Sequence, residues 1–118
     1  MQRRHWLAAL GISLIATPLA AEPDSRQQEM VDLAWKRGCF NCHDLDTTLR
    51  GPAWRDVGER YQDDSEALER LIPIVRNGGG GNWGDEFMTA NRRVPEEDIR
   101  QLVEWILTLR STESSVQN

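Results

Sequence analysis

The stretch Cys39-Phe40-Asn41-Cys42-His43 constrains this chain more than any other. It packs two thiols and an imidazole into five residues, at the spacing that attaches a c-type haem covalently. On the closing turns of a helix, Cys39 and Cys42 stand three apart and share a face, so both sulfurs reach the vinyl groups of one porphyrin and each closes a thioether. His43 follows at once, and its imidazole turns under the ring to bind the iron as proximal ligand. Three blander uses compete: half of a zinc site, a thioredoxin-like dithiol, or a small disulfide. A structural zinc takes four Cys or His ligands, and the only other histidine, His5, falls in a segment that reads as a leader. A thioredoxin-like motif sits in a strand-helix-strand context, whereas the flanks here read as helix and loop.

The leader spans Met1 to Ala21. Arg3 and Arg4 supply a basic start, Leu7 to Ile15 an apolar stretch, and Pro18-Leu19-Ala20-Ala21 a small-residue end. This is the pattern of a secretory signal peptide, which places the rest of the chain in the periplasm, where free thiols oxidise unless haem attachment consumes them. The apolar run is short and interrupted for a membrane span. Leu19 is an indifferent residue before the cut, so an uncleaved anchor is the alternative, and only that would bring in a membrane. Cleavage leaves a domain over 22–110 and a flexible polar tail over 111–118. It also removes two of the 14 basic residues against 19 acidic ones, moving the net charge from −5 to −7. That balance argues against nucleic acid as a partner.

Within the domain, Ser25 and Gln28 form a capping box for a first helix that runs to about Arg37, with Met30, Leu33, Ala34 and Trp35 as inward positions. Gly38 suits its end. Gly51-Pro52 marks a turn on the proximal side, where Pro52 supports His43. A short helix over Ala53 to Tyr61 faces Trp54 and Val57 inward, and Asp63-Asp64-Ser65 caps another over Glu66 to Arg76. Pro73 kinks or breaks that helix. Four glycines, Gly78 to Gly81, open a loop carrying Trp83, Phe87 and Met88. They are not a phosphate-binding loop, because the lysine and the strand-to-helix context are missing. Small residues there let the backbone pass close to a flat haem. A last helix over Val94 to Arg110 starts at Pro95 and gathers Ile99, Leu102, Val103, Ile106 and Leu109 on one face, set to pack on the first helix.

With His43 on one side of the iron, the chemistry turns on the other side. No second histidine survives removal of the leader, and Met30 lies nine residues before Cys39 on the same helix, which makes it a core residue. Met88 remains, on a loop able to fold across the ring; the alternative is a core methionine. Arg92 and Arg93 follow within five residues and either rim a contact surface or are ordinary solvated charges.

Gly38-Cys39-Phe40-Asn41-Cys42-His43, Gly51-Pro52-Ala53-Trp54-Arg55-Asp56-Val57, Asn77-Gly78, Trp83-Gly84, Met88 with Asn91, and the Trp105-bearing terminal helix together resemble the class I monohaem c-type cytochromes, the small bacterial electron carriers. The resemblance covers nearly all of the mature chain. It implies an all-α fold, about four helices around one covalently attached haem c, with crossed first and last helices and an exposed haem edge. It also implies His43/Met88 ligation of the iron, a hydrogen bond from Trp83 to a haem propionate, and orientation of the Met88 sulfur by Asn91. One departure stands out: the family often flanks the ligand methionine with prolines, and this chain has Phe87 before it and Thr89-Ala90 after it. The loop is less stiff for that.

Three function classes follow. The first is a periplasmic one-electron carrier, free or as the cytochrome subunit of an oxidoreductase, not itself an enzyme, that exchanges electrons with oxidases, reductases or dehydrogenases. The second is a haem enzyme or gas sensor in which Met88 detaches to open the iron, although no distal histidine is present as acid-base group. The third is a haem-free dithiol or structural module.

Overall fold

The computed structural model describes residues 11–17 and 22–111. The basic start of the leader, its cleavage end at 18–21 and the tail beyond Ser111 lie outside the described residues. Residues 11–17 are exposed and belong to neither helix nor strand. Among the described residues, no helix is long and apolar enough to cross a membrane.

Helix α1, Pro23–Lys36, begins earlier than a Ser25 cap allows. Proline at the first helical position has its φ preset and loses no hydrogen bond there, so it starts the helix without a side-chain cap. Ser25 therefore lies inside the first turn, its hydroxyl donating back to the Glu22 carbonyl at 2.7 Å. Gln28 reaches along the helix to Asp32 and does not close a box. Met30 and Ala34 face the core one turn apart and Leu33 is half-buried, but Trp35 is 66% exposed and points away from it. Arg37 ends the helix, and Gly38 at φ +74° reverses the chain in the left-handed region, where a Cβ is unfavourable.

Helix α2, Trp54–Arg60, buries Trp54, Val57 and Gly58. Helix α3, Ala67–Asn77, starts at Glu66 without a side-chain cap of its own. Asp64 works one turn earlier: its carboxylate accepts the Glu66 N–H at 3.0 Å and pairs with Arg70. Pro73 neither breaks nor ends α3. Glu69 and Pro73 both lie on the exposed side, so solvent can take the carbonyl that the missing N–H leaves unpaired. After α3 the glycines do not form a plain loop. Gly79–Gly80 (β1) pairs antiparallel with Phe87–Met88 (β2), Gly79 opposite Met88 and Gly80 opposite Phe87.

Helix α4, Glu96–Thr108, has Pro95 as its cap residue and three acidic residues in its first turn. It packs against α1, α2 and α3, and so organises the molecule. Two apolar clusters result. Met30, Ala34, Trp54, Val57, Leu102, Trp105, Ile106 and Leu109 form the larger, and Ile72, Ile99 and Val103 the smaller. Arg37 closes the α1–α4 contact, donating from Nε to Asp98 at 2.7 Å.

Candidate functional site

Cys39–Asn41 is a single 3₁₀ turn, separated from α1 by Gly38, so the thiols do not ride on the end of the helix. The short turn keeps them close all the same: the N–H groups of Cys42 and His43 both donate to the Cys39 carbonyl, at 3.2 and 3.1 Å. Cys39 and Cys42 are half-buried and not joined to each other. Burial pushes the Cys39 thiol up, opposed by a backbone hydrogen bond and by the nearby Arg37 charge.

His43 is the most constrained side chain of this group. Its Nδ1 lies 2.9 Å from the Pro52 carbonyl oxygen. A carbonyl only accepts, so Nδ1 carries the proton and Nε2 keeps the free lone pair. Burial lowers the His43 pKa, opposed by that same hydrogen bond, so the neutral imidazole is favoured. Gly51 seals the other side: a Cβ built there falls 2.4 Å from Cε1 and 2.8 Å from Nε2. The Gly51 N–H returns to the Cys42 carbonyl at 2.8 Å, which closes a loop braced further by Asp44 accepting the N–H groups of Asp46 and Thr47. Trp54 lies beside the imidazole, with ring centroids 5.6 Å apart.

A second group sits on the hairpin and its exit. Gly78 adopts φ +80°, and a Cβ there would lie 2.6 Å from the Met88 carbonyl oxygen. Gly78 is thus needed where the chain leaving α3 passes close to the Met88 backbone. Met88 is half-buried and Phe87 is 66% exposed. Asn91 bridges the ends of this segment: its N–H donates to Arg76 O at 3.0 Å, and its Nδ2 to Val75 O at 3.0 Å and Thr89 O at 3.2 Å. Trp83 is held by Arg60, whose guanidinium lies 4.4 Å over the indole and donates to Asn82 O, and by the edge of Tyr61. Helix α2 links the two groups, touching His43 through Trp54 at one end and Trp83 through Arg60 at the other, about 9 Å along its axis. Met30 belongs to neither; it is 4% exposed in the larger core cluster.

The family model for cytochrome c matches residues 28–110, from the middle of α1 through the end of α4. This chain belongs to the cytochrome c family. Cytochrome c-551 of Allochromatium vinosum is 47% identical over 77 residues, covering 65% of this chain and 82% of that protein. Cytochrome c-552 of Nitrosomonas europaea is 33% identical over 105 residues, covering 89% and 96%. Among solved structures, the wild-type Nitrosomonas europaea cytochrome c552 superposes with a TM-score of 0.66 at 38% identity, over 68% of this chain and 99% of that one. The class 1 cytochrome MtoD of Sideroxydans lithotrophicus ES-1 does so with a TM-score of 0.60 at 31% identity, over 72% and 97%. The fold is accordingly the small all-α cytochrome c fold, with the two-stranded ribbon as its only strand pairing among the described residues.

Cytochromes c carry one covalently bound haem c with its iron, and the residues of this chain fit that group. Two unjoined thiols flank one turn, and the imidazole beside them has its outer nitrogen fixed and its inner nitrogen free. Among the described residues, no group of three or more His, Cys, Asp or Glu side chains is arranged to hold a bare metal ion, as a zinc site requires. Three contributors escaped the sequence reading. Gly51 was legible only as a turn residue; the approach of its α-carbon to His43 has no sequence signature. Arg60 gives no local signal, because its partners lie 22 and 23 residues away. Asp44, two residues before Asp46, is a recognisable turn-forming acid.

Proposed function

We propose that this cytochrome c is a periplasmic one-electron carrier whose haem is attached through Cys39 and Cys42 and ligated by His43 and Met88. The observation that carries the reading is the His43–Pro52 hydrogen bond, which fixes the tautomer and leaves Nε2 as a ligand of set direction. The bound haem supplies a one-electron couple at its iron. Everything else is the work of side chains. Gly51 and Trp54 confine the imidazole, so that it does not rotate off its axis. The hairpin carries Met88, and Asn91 anchors the backbone at Thr89, the residue that follows it, in place of the stiffening that prolines give. A thioether in that position favours the ferrous state and raises the potential. Trp83, steadied by Arg60, would offer its indole N–H to a propionate. With His43 and Met88 both holding the iron, no substrate would reach it, which favours a carrier over an enzyme or gas sensor. Export by the 1–21 segment puts the carrier among periplasmic oxidases, reductases and dehydrogenases, free or as a cytochrome subunit.

The test is potentiometric titration of the purified holoprotein, combined with exposure of the ferrous form to carbon monoxide. A carrier titrates with one electron per chain and keeps its spectrum under carbon monoxide. Rapid formation of a carbon monoxide adduct at neutral pH would favour the gas-sensing reading.

A further inference from the structure

Trp35 is the most exposed tryptophan among the described residues, at 66%. An indole left in water contributes little apolar burial to the fold. It nevertheless heads a file of rings. Trp35 and Phe40 have centroids 5.0 Å apart and tilted by 53°; Phe40 and Trp54 are 5.1 Å apart at 42°; Trp54 and His43 are 5.6 Å apart at 31°. All three spacings are those of directly touching aromatic pairs. Four rings therefore run without a gap from the surface of α1 to the imidazole. Trp105 meets Trp54 edge-on at 5.8 Å, but it is 5% exposed and leads back into the core, so the only open end among these rings is Trp35. Phe40 has a second connection as well, since it follows Cys39 directly in the chain and stands between the two thiols.

We propose that this file is an electron route between the haem and the surface at Trp35, additional to any exit beside the Met88 hairpin. The inference rests on the assignment of Cys39, Cys42 and His43 to the haem. Electronic coupling decays exponentially with distance, and decays more slowly through bonds and touching atoms than across solvent. Two such paths converge on Phe40, one through the Cys39 linkage and one through His43 and Trp54, and Phe40 passes both to Trp35 across a single ring contact. One electron moves from the iron to a one-electron oxidant at Trp35, or the reverse from a reductant. No bond forms or breaks, no proton moves, and each ring ends in its starting state.

The experiment uses the haem-bearing protein with a photo-oxidising ruthenium polypyridine complex coordinated to an imidazole introduced by Lys36→His. After the flash, an added one-electron acceptor oxidises the excited ruthenium(II) to ruthenium(III), which takes one electron from ferrous haem and returns to ruthenium(II), and the haem absorbance change gives the rate. Trp35→Leu and Phe40→Leu, each made in that background, remove a ring while the label and its distance stay in place. Each is expected to slow haem oxidation several-fold, with the reduction potential and the visible spectrum unchanged. Equal rates in all three proteins would overturn the route and leave the rings as packing alone. Phe40 also touches the core, so if Phe40→Leu loses haem, the exposed Trp35→Leu decides. Failure of the underlying haem assignment looks different: substituting Cys39, Cys42 or His43 would then leave the haem spectrum intact.

Discussion

A methyl group at Gly51 meets His43 ring atoms at 2.4, 2.7 and 2.8 Å, far inside contact distance. The ring cannot simply slide away, because Pro52 O holds Nδ1 and Trp54 lies alongside. Gly51→Ala should therefore destabilise the holoprotein by about 2 kcal/mol, the scale of core overpacking. It should also shift the haem spectrum; urea unfolding followed through haem absorbance measures both, and an unchanged midpoint and spectrum would show the ring to be free. The thiols and the imidazole stood out as candidates from side-chain chemistry at fixed spacing, Met88 by elimination, and Asn91 only through the family resemblance. The Pro52 contribution was legible only in outline, since what acts is a backbone carbonyl, and every residue has one. Trp35 is exposed, against expectation, because at 3.6 residues per turn it falls well outside the inward arc marked by Met30 and Ala34.

Helix α2 is short for the weight it carries between the proximal turn and the Trp83 loop. Its closest neighbour is the end of α4, where a Cβ on Gly58 would sit 2.2 Å from Leu109 O and 2.6 Å from Ile106 O. Alanine gains about 1 kcal/mol in helix propensity over glycine. Collision with two backbone carbonyls outweighs that gain, so Gly58→Ala is expected to lose about 1–2 kcal/mol net, in the range of overpacked sites. A lowered denaturation midpoint with unchanged cooperativity would fit; a raised midpoint would mean that the two helices can part without loss. At this scale the apolar stripes gave all four helices. The start of α1 was misread because a capping pattern at Ser25 competed with Pro23, whereas the Asp63-Asp64-Ser65 pattern put the start of α3 within one residue, Asp64 accepting the Glu66 N–H. The ribbon was missed because two residues, whether Gly79–Gly80 or Phe87–Met88, are too few to carry an alternation.

The molecule as a whole has a modest core, one cluster of eight buried residues and one of three. A haem attached at Cys39 and Cys42 would act as a covalent staple and add apolar surface for those clusters to pack on. Removing the attachment points, Cys39→Ala with Cys42→Ala, should leave a chain that lacks most native helix by far-ultraviolet circular dichroism. Native-like helix content without haem would show that the four helices suffice. That staple has two sides, since in the proposed function His43 and Met88 would hold the iron between them. The near-infrared spectrum of the ferric protein tests this most directly, because iron-thioether coordination gives a weak band there. Ligation by Met88 predicts the band in the wild type and its loss in Met88→Ala, together with a lower reduction potential and new access for external ligands. A band that persists in Met88→Ala would contradict it.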